Sequence, residues 1–257
     1  MVRPGAVGTR RARRRSRRAT TIALLVVAVL VGAVVVGYFR TPGWLWFVSP
    51  SAERYPIRGL DVSHHQGAID WAAVASEGWQ FAWLKATEGG DWTDPRFDEN
   101  RAGAARAGVR WGAYHFLTFC RDPERQAAHF LSVLGDDVGQ LPPAVDVETG
   151  GNCSERPRPE ELARHLGVFL ERVEGALHRR MVIYVVPDQV EELFGPAGLP
   201  DRPLWVRSIF AEPTPLARRP WTIWQYHSRA RIAGVGVFVD LDVFAGDARA
   251  FEAFVDR

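Results

Sequence analysis

Residues Leu141–Gly151 read Leu-Pro-Pro-Ala-Val-Asp-Val-Glu-Thr-Gly-Gly. Pro142 and Pro143 punctuate the start of this stretch, and Gly150 and Gly151 its end. Between them, Ala144–Glu148 is a short apolar run broken only by Asp146 and Glu148, a length that suits a buried strand better than a helix. Residues i and i+2 of a strand share a face, so Asp146 and Glu148 project together, roughly 7 Å apart at their Cα atoms. Two carboxyls on one apolar strand are costly to bury unless paired, protonated or used in chemistry. Their mutual repulsion raises the pKa of one, which is how a general acid stays protonated near neutral pH. A strand end whose acids cap the following turn is the plainer alternative, and the stretch alone leaves both open.

Outward from it, short apolar strands alternate with helical stretches. Strands are expected at Ile57–Ser63, Phe81–Thr87, Arg110–Phe116, Met181–Val186, Leu204–Ser208, Thr222–Tyr226 and Val237–Val243. Helices are expected at Trp71–Glu77 behind an Asp70 N-cap, then at Phe97–Ala107, Pro123–Leu134, Arg158–Arg179, Gln189–Phe194 and Ala248–Val255. Eight strands interleaved mainly with helices give the α/β class and a barrel of the (β/α) TIM-like kind. Such barrels carry their reactive groups at the C-terminal ends of strands, and Asp61, Asp146, Glu148 and Asp240 all fall at or near expected strand ends. That convergence favours chemistry over turn capping, because unrelated solvated acids belong on helices and loops.

The chain has 257 residues, 47% hydrophobic and 24% charged, which is an ordinary globular composition. Its net charge of +2 hides an asymmetry: residues 1–40 hold nine Arg and no acid, so about −7 is left for the remainder. That balance argues against nucleic acid as a partner. Arg10–Arg18 precede Ile22–Phe39, eighteen residues without a charge, about the least that spans a bilayer. Basic residues before an apolar run hold that end in the cytoplasm. No small-x-small cleavage site follows, so an uncleaved signal anchor is expected, with a cleaved signal peptide as the alternative. The organisation read from sequence is a basic cytoplasmic tail (1–20), a transmembrane anchor (21–40), a linker (41–56) and a catalytic domain (57–257). Trp44, Trp46 and Phe47 of the linker are placed at the outer membrane interface.

Cys120 and Cys153 each follow an expected strand end, and the domain faces an oxidising compartment. A disulfide is expected, with two free thiols as the alternative. His64-His65 lacks metal-ligand spacing, so no metal is implied. No Gly-rich phosphate loop follows a strand, so no nucleotide cofactor is implied, and no Gly-x-Ser-x-Gly elbow surrounds Ser63 or Ser208. Clustered carboxylates remain, and glycoside cleavage needs two of them.

In order along the chain stand Gly59-Leu60-Asp61-Val62-Ser63-His64-His65-Gln66-Gly67, Leu84-Lys85-Ala86-Thr87-Glu88-Gly89, Tyr114-His115-Phe116, Val145-Asp146-Val147-Glu148, Trp224-Gln225-Tyr226 and Val239-Asp240-Leu241-Asp242-Val243-Phe244. This set resembles the family 25 glycoside hydrolases, the Chalaropsis-type lysozymes, from about Ile57 onward. The resemblance implies an irregular, flattened barrel that cleaves the β-1,4 bond between N-acetylmuramic acid and N-acetylglucosamine in peptidoglycan, with no cofactor and as a monomer. It implies Glu148 as general acid, Asp146 as the group that stabilises charge or orients the substrate's acetamido group, and Asp61 and Asp240 as the rest of an acidic floor. The acetamido oxygen of the substrate is the favoured nucleophile, with a carboxylate as the alternative. Lys85, Tyr184, Trp205 and Trp224 match groove-lining positions, with barrel packing as the alternative for each. His115 is counted with them, a satisfied core histidine being the alternative. Asp242 stands where the family usually has Asn, and Arg207 where a small residue is common. Two other readings stay open: a membrane-anchored glycan-binding or scaffolding protein of the same fold, and a hydrolase of another amino sugar polymer.

Overall fold

The computed structural model describes residues 7–40, 48–216 and 218–256 of the chain, in two units, Met1–Leu45 and Trp46–Arg257. The first unit is helix α1 (Val7–Arg40), whose Thr20–Gly37 segment has a mean hydropathy of 2.7 and is long and apolar enough to cross a membrane. Trp44, Trp46 and Phe47 lie outside the described residues.

In the second unit, alternate residues of each strand must satisfy an inner and an outer surface at once, and the sequence is written that way. The strands are β1 (Arg58–Val62), β2 (Phe81–Glu88), the two-residue β3 (Trp92–Thr93), β4 (Arg110–Phe116), β5 (Ala144–Val147), β6 (Val182–Val185), β7 (Leu204–Arg207), β8 (Ile223–Ala230) and β9 (Val239–Phe244). Among the described residues they form one sheet, ordered β1-β9-β8-β7-β6-β5-β4-β2-β3, and pairing of β1 with β2 closes eight of them into a barrel. Only β3, a hairpin partner of β2, was absent from the sequence reading. Two residues are too few to show a period.

Helices α2 (Trp71–Ser76), α3 (Phe97–Ala107), α4 (Pro123–Leu134), α5 (Pro159–Leu177) and α6 (Pro187–Phe194) follow β1, β3, β4, β5 and β6. Asp70 caps α2 as expected, its Oδ1 accepting from the amides of Ala72 and Ala73 at 3.1 Å. The helices cover the outer face, where Leu166, Phe169 and Leu170 of α5 join Val145 and Val147 of β5 in one core. β7, β8 and β9 follow one another without an intervening helix among the described residues, so the barrel is irregular. β9 pairs antiparallel with both β8 and β1, unlike a regular barrel.

The barrel interior is filled by Ile57, Phe81, Trp83, Tyr114, Tyr184, Trp205 and Phe244. Helix α7 (Ala248–Val255) closes one end with Phe251, 5.5 Å from the Phe81 ring, and Phe254. Gly59 makes room for this filling, since a Cβ there would sit 2.2 Å from the Phe81 ring. At the other end Trp83 and Trp205 stack at 4.9 Å, and this pair is the apolar floor on which the acids stand.

Candidate active site

Asp61 of β1, Asp146 of β5, Glu148 just past β5 and Asp240 of β9 line one cleft of about 440 Å³. Lys85, Tyr184 and Trp205 line it too. Asp240 corrects one detail of the sequence reading. It is the second residue of its strand, not near the last, and it reaches the same mouth because β9 runs antiparallel: Asp240 sits opposite Asp61 in the register.

Burial raises the pKa of every one of these carboxyls. Asp146 is raised well above the ordinary value, first by desolvation and then by the charge of Glu148. One of its oxygens, Oδ1, is buried without a hydrogen-bond partner, an arrangement that suits a neutral carboxyl far better than a charged one. Glu148 is raised by desolvation, and opposed by the positive charges of Arg207 and Lys85. The two acids titrate as a unit, with one proton held by the pair well above the carboxylate range.

A hydrogen-bonded chain fixes the far side of the floor. The Tyr184 hydroxyl donates to Gln225 Oε1 at 3.0 Å, and Gln225 Nε2 donates to Asp61 Oδ2 at 2.7 Å. Trp205 Nε1 donates to Asp242 Oδ1 at 2.8 Å. Asp61 and Asp242 face each other, and Asp242 raises the tendency of Asp61 to hold a proton, so a proton shared between them is the arrangement in which two such carboxyls can bond. Apart from that proton, Asp242 Oδ2 has no partner. Asp61 is raised first by burial and then by the Asp242 charge.

The strand end that carries Glu148 is held from both sides. Asn152 Nδ2 donates to the Glu148 carbonyl at 3.0 Å and to that of Leu117 at 2.8 Å, and Gln189 Oε1 accepts from the Thr149 amide at 2.7 Å. Next to Asn152, Cys153 is disulfide-bonded to Cys120 with Cα atoms 6.1 Å apart, joining the loops after β4 and β5 as expected. Lys85 Nζ lies 2.7 Å from Glu88 Oε2, and 4.9 Å and 5.2 Å from the centres of the Phe116 and Trp92 rings.

Two of the expected groove residues are elsewhere. His115 is fully buried on the outer face of β4, stacked on Phe169 at 4.7 Å. Gln126 Nε2 is committed to the Thr118 and Arg121 carbonyls, so Gln126 Oε1 accepts from His115 Nε2–H at 3.1 Å and the Thr87 hydroxyl donates to Nδ1 at 2.7 Å. Burial lowers its pKa to about 3, so it is a neutral structural residue. Trp224 is likewise turned outward, its Nε1 donating to the Ser208 carbonyl at 2.7 Å among Tyr55, Trp221 and Tyr226. Both face away for one reason: their strand neighbours Tyr114, Phe116 and Gln225 have the inward parity and line the cleft instead. That alternation was the signal that would have found those three.

Among the described residues no cluster of His, Cys, Asp and Glu has the geometry of a metal site. The arrangement, then, is a cleft floored by tryptophan, lined by carboxyls whose pKa values burial raises, with two cations at its edge. It can donate a proton to a leaving oxygen and stabilise positive charge that develops beside it.

Comparison with known proteins agrees. Residues 60–235 match the family model described as glycosyl hydrolases family 25. Lysozyme M1 of Streptomyces globisporus is 34% identical over 217 residues, spanning 80% of this chain and 74% of that protein. A family 25 glycosyl hydrolase from Bacillus anthracis has the same fold with a TM-score of 0.75 at 31% identity, covering 82% of this chain and 98% of that one. A bacterial lysozyme from Streptomyces coelicolor gives a TM-score of 0.69, also at 31% identity, over 78% and 97% of the two chains.

Proposed function

Since the chain belongs to glycosyl hydrolase family 25, and is a cell wall hydrolase of the lysozyme kind, we propose that it cleaves the β-1,4 bond between N-acetylmuramic acid and N-acetylglucosamine in peptidoglycan. Glu148 is the general acid. The observation that carries this is the Asp146/Glu148 pair at one strand end, with its proton held up by burial and mutual charge. The pair's single proton reaches the leaving oxygen through Glu148, which leaves both acids as carboxylates. Asp146 accepts from the substrate's acetamido N–H as the proton leaves the pair, which turns the acetamido oxygen toward the anomeric carbon. Attack by that oxygen gives an oxazolinium ion, and water opens it with Glu148, now a carboxylate, as base. Asp61 and Asp240 complete the floor, and Lys85, Tyr184 and Trp205 line the sugar sites.

The domain works outside the cytoplasm, tethered by α1, and its partners are glycan strands and the lipid bilayer. The eight arginines before an uncharged apolar segment support that orientation. The division into tail (1–20), anchor (21–40), linker (41–56) and catalytic domain (57–257) belongs to the same proposal.

The test is release of reducing ends from purified peptidoglycan by the full chain in detergent micelles, beside Glu148→Gln. Products that end in reduced N-acetylmuramic acid after borohydride treatment, and a loss of about 10²–10⁴-fold in the variant, are expected for a general acid. A folded wild-type chain that releases nothing from several wall types would leave the fold without this activity.

A further inference from the structure

Arg207 ends β7 on the strand's inner face and lines the cleft beside Glu148 and Asp240. The residue is half-buried, and among the described residues no hydrogen bond or ion pair reaches its guanidinium. The cleft's other cation differs: Lys85 is already held by Glu88 and two aromatic rings. Arg207 acts on its acidic neighbours only through space, opposing the rise of the Glu148 and Asp240 pKa values. Its five N–H donors form a planar fork that fits a carboxylate in two-point fashion, and none of the cleft's own carboxyls fills it.

The glycan supplies one. A chain of alternating N-acetylglucosamine and N-acetylmuramic acid is neutral at every ring except through the 3-O substituent of the muramyl unit. That substituent carries the lactyl carboxylate when no stem peptide is attached, and the stem's carboxylates when one is. An anion entering a cleft lined by Asp61, Asp146, Glu148 and Asp240 meets repulsion wherever one of them is charged, and a cation at the rim offsets it. We propose that Arg207 binds the carboxylate of the muramyl 3-O substituent, and thereby selects muramyl chains over neutral N-acetylglucosamine polymers. This rests on the muramidase reading above.

The experiment uses the full chain in micelles, as wild type, Arg207→Gln and Arg207→Lys. The substrates are intact peptidoglycan, the same glycan stripped of peptides by an amidase, and stripped glycan whose carboxyls have been activated with carbodiimide and reduced to alcohols. On the charged glycan KM rises about 10- to 100-fold in Arg207→Gln, the worth of a charge-assisted pair, with partial recovery in Arg207→Lys. Reducing the substrate's carboxyls raises the wild-type KM by a similar factor and adds little to the variant's, because each change removes one half of the same contact. A penalty confined to stripped glycan identifies the lactyl carboxylate as the partner, and one confined to intact wall identifies the stem. Equal losses on charged and reduced glycan would overturn the proposal. So would an effect limited to kcat with the alkaline limb moved to higher pH, which would mean that Arg207 acts through Glu148. A wild type inactive on all three substrates would refute the muramidase reading itself, and this proposal with it.

Discussion

Replacing Asp242 by Asn should make the protein more stable at neutral pH. The side chain has no solvent exposure, Oδ1 accepts from Trp205 Nε1 at 2.8 Å, and the other oxygen has only the proton shared with Asp61. An amide fits this place without rearrangement, its oxygen kept on Trp205 and its Nδ2 donating to Asp61. The direction follows from linkage. A carboxyl whose pKa is raised by burial lowers stability at neutral pH by about 1.4 kcal/mol for each pH unit of that rise. The gain expected is that of relieving one buried polar atom without a hydrogen bond, about 1–3 kcal/mol, or a rise in Tm of roughly 3–10 °C. The sign with pH is fixed by the direction of the shift. A carboxyl whose folded pKa is raised contributes fully below pH 3.8, and its contribution is lost as pH rises through the folded value. Wild-type stability should therefore decline from about pH 4 towards neutrality, and the variant should decline less steeply, meeting the wild type near pH 4. Near-UV circular dichroism melts between those pH values measure both curves. An Asp242→Asn protein less stable than wild type at pH 7, or one with an unchanged pH slope, would refute the shared-proton account.

The disulfide closes 33 residues of chain, so the double variant Cys120→Ser/Cys153→Ser should lose about 3–4 kcal/mol and roughly 10 °C in Tm. Equal melting of the oxidised wild type and the double variant would count against that. If α1 is an uncleaved anchor, the protein stays in the membrane pellet after alkaline carbonate extraction, with an intact mass that retains residue 1. Recovery of a shortened chain in the wash would mean that Thr20–Gly37 is a removed signal segment instead.

The acids of the site were legible because they violate the strand pattern around them. Asp146 and Glu148 interrupt an apolar run, and Asp61 and Asp240 do the same on their strands, so an energetic cost is visible in the letters alone. The helices were legible for the complementary reason: Leu162, Leu166, Phe169, Leu170 and Val173 repeat at the helical period, and all are buried in α5. Asn152 and Gln189, which hold the peptide group between Glu148 and Thr149, carry no such mark. A polar residue in a loop or in the first turn of a helix looks the same whether it faces water or fastens a catalytic strand.

The residues misassigned to the groove fail on parity, and β2 shows why parity cannot simply be counted. From Phe81 through Trp83 to Lys85 the inward residues alternate, and the count predicts Thr87 next. Between Lys85 and Thr87 the register slips by one residue, so Lys85 pairs with Tyr114 while Thr87 pairs with the outward His115. The slip turns Thr87 outward to donate to His115, and it brings Glu88 rather than Thr87 to the ammonium of Lys85. One irregularity thus gives His115 a core partner and Lys85 a counter-ion. With that counter-ion taken, Arg207 is left as the cleft cation with an unfilled fork of donors. A bulge is a property of how two strands pair, and nothing in Leu84-Lys85-Ala86-Thr87-Glu88 read alone distinguishes it from regular alternation.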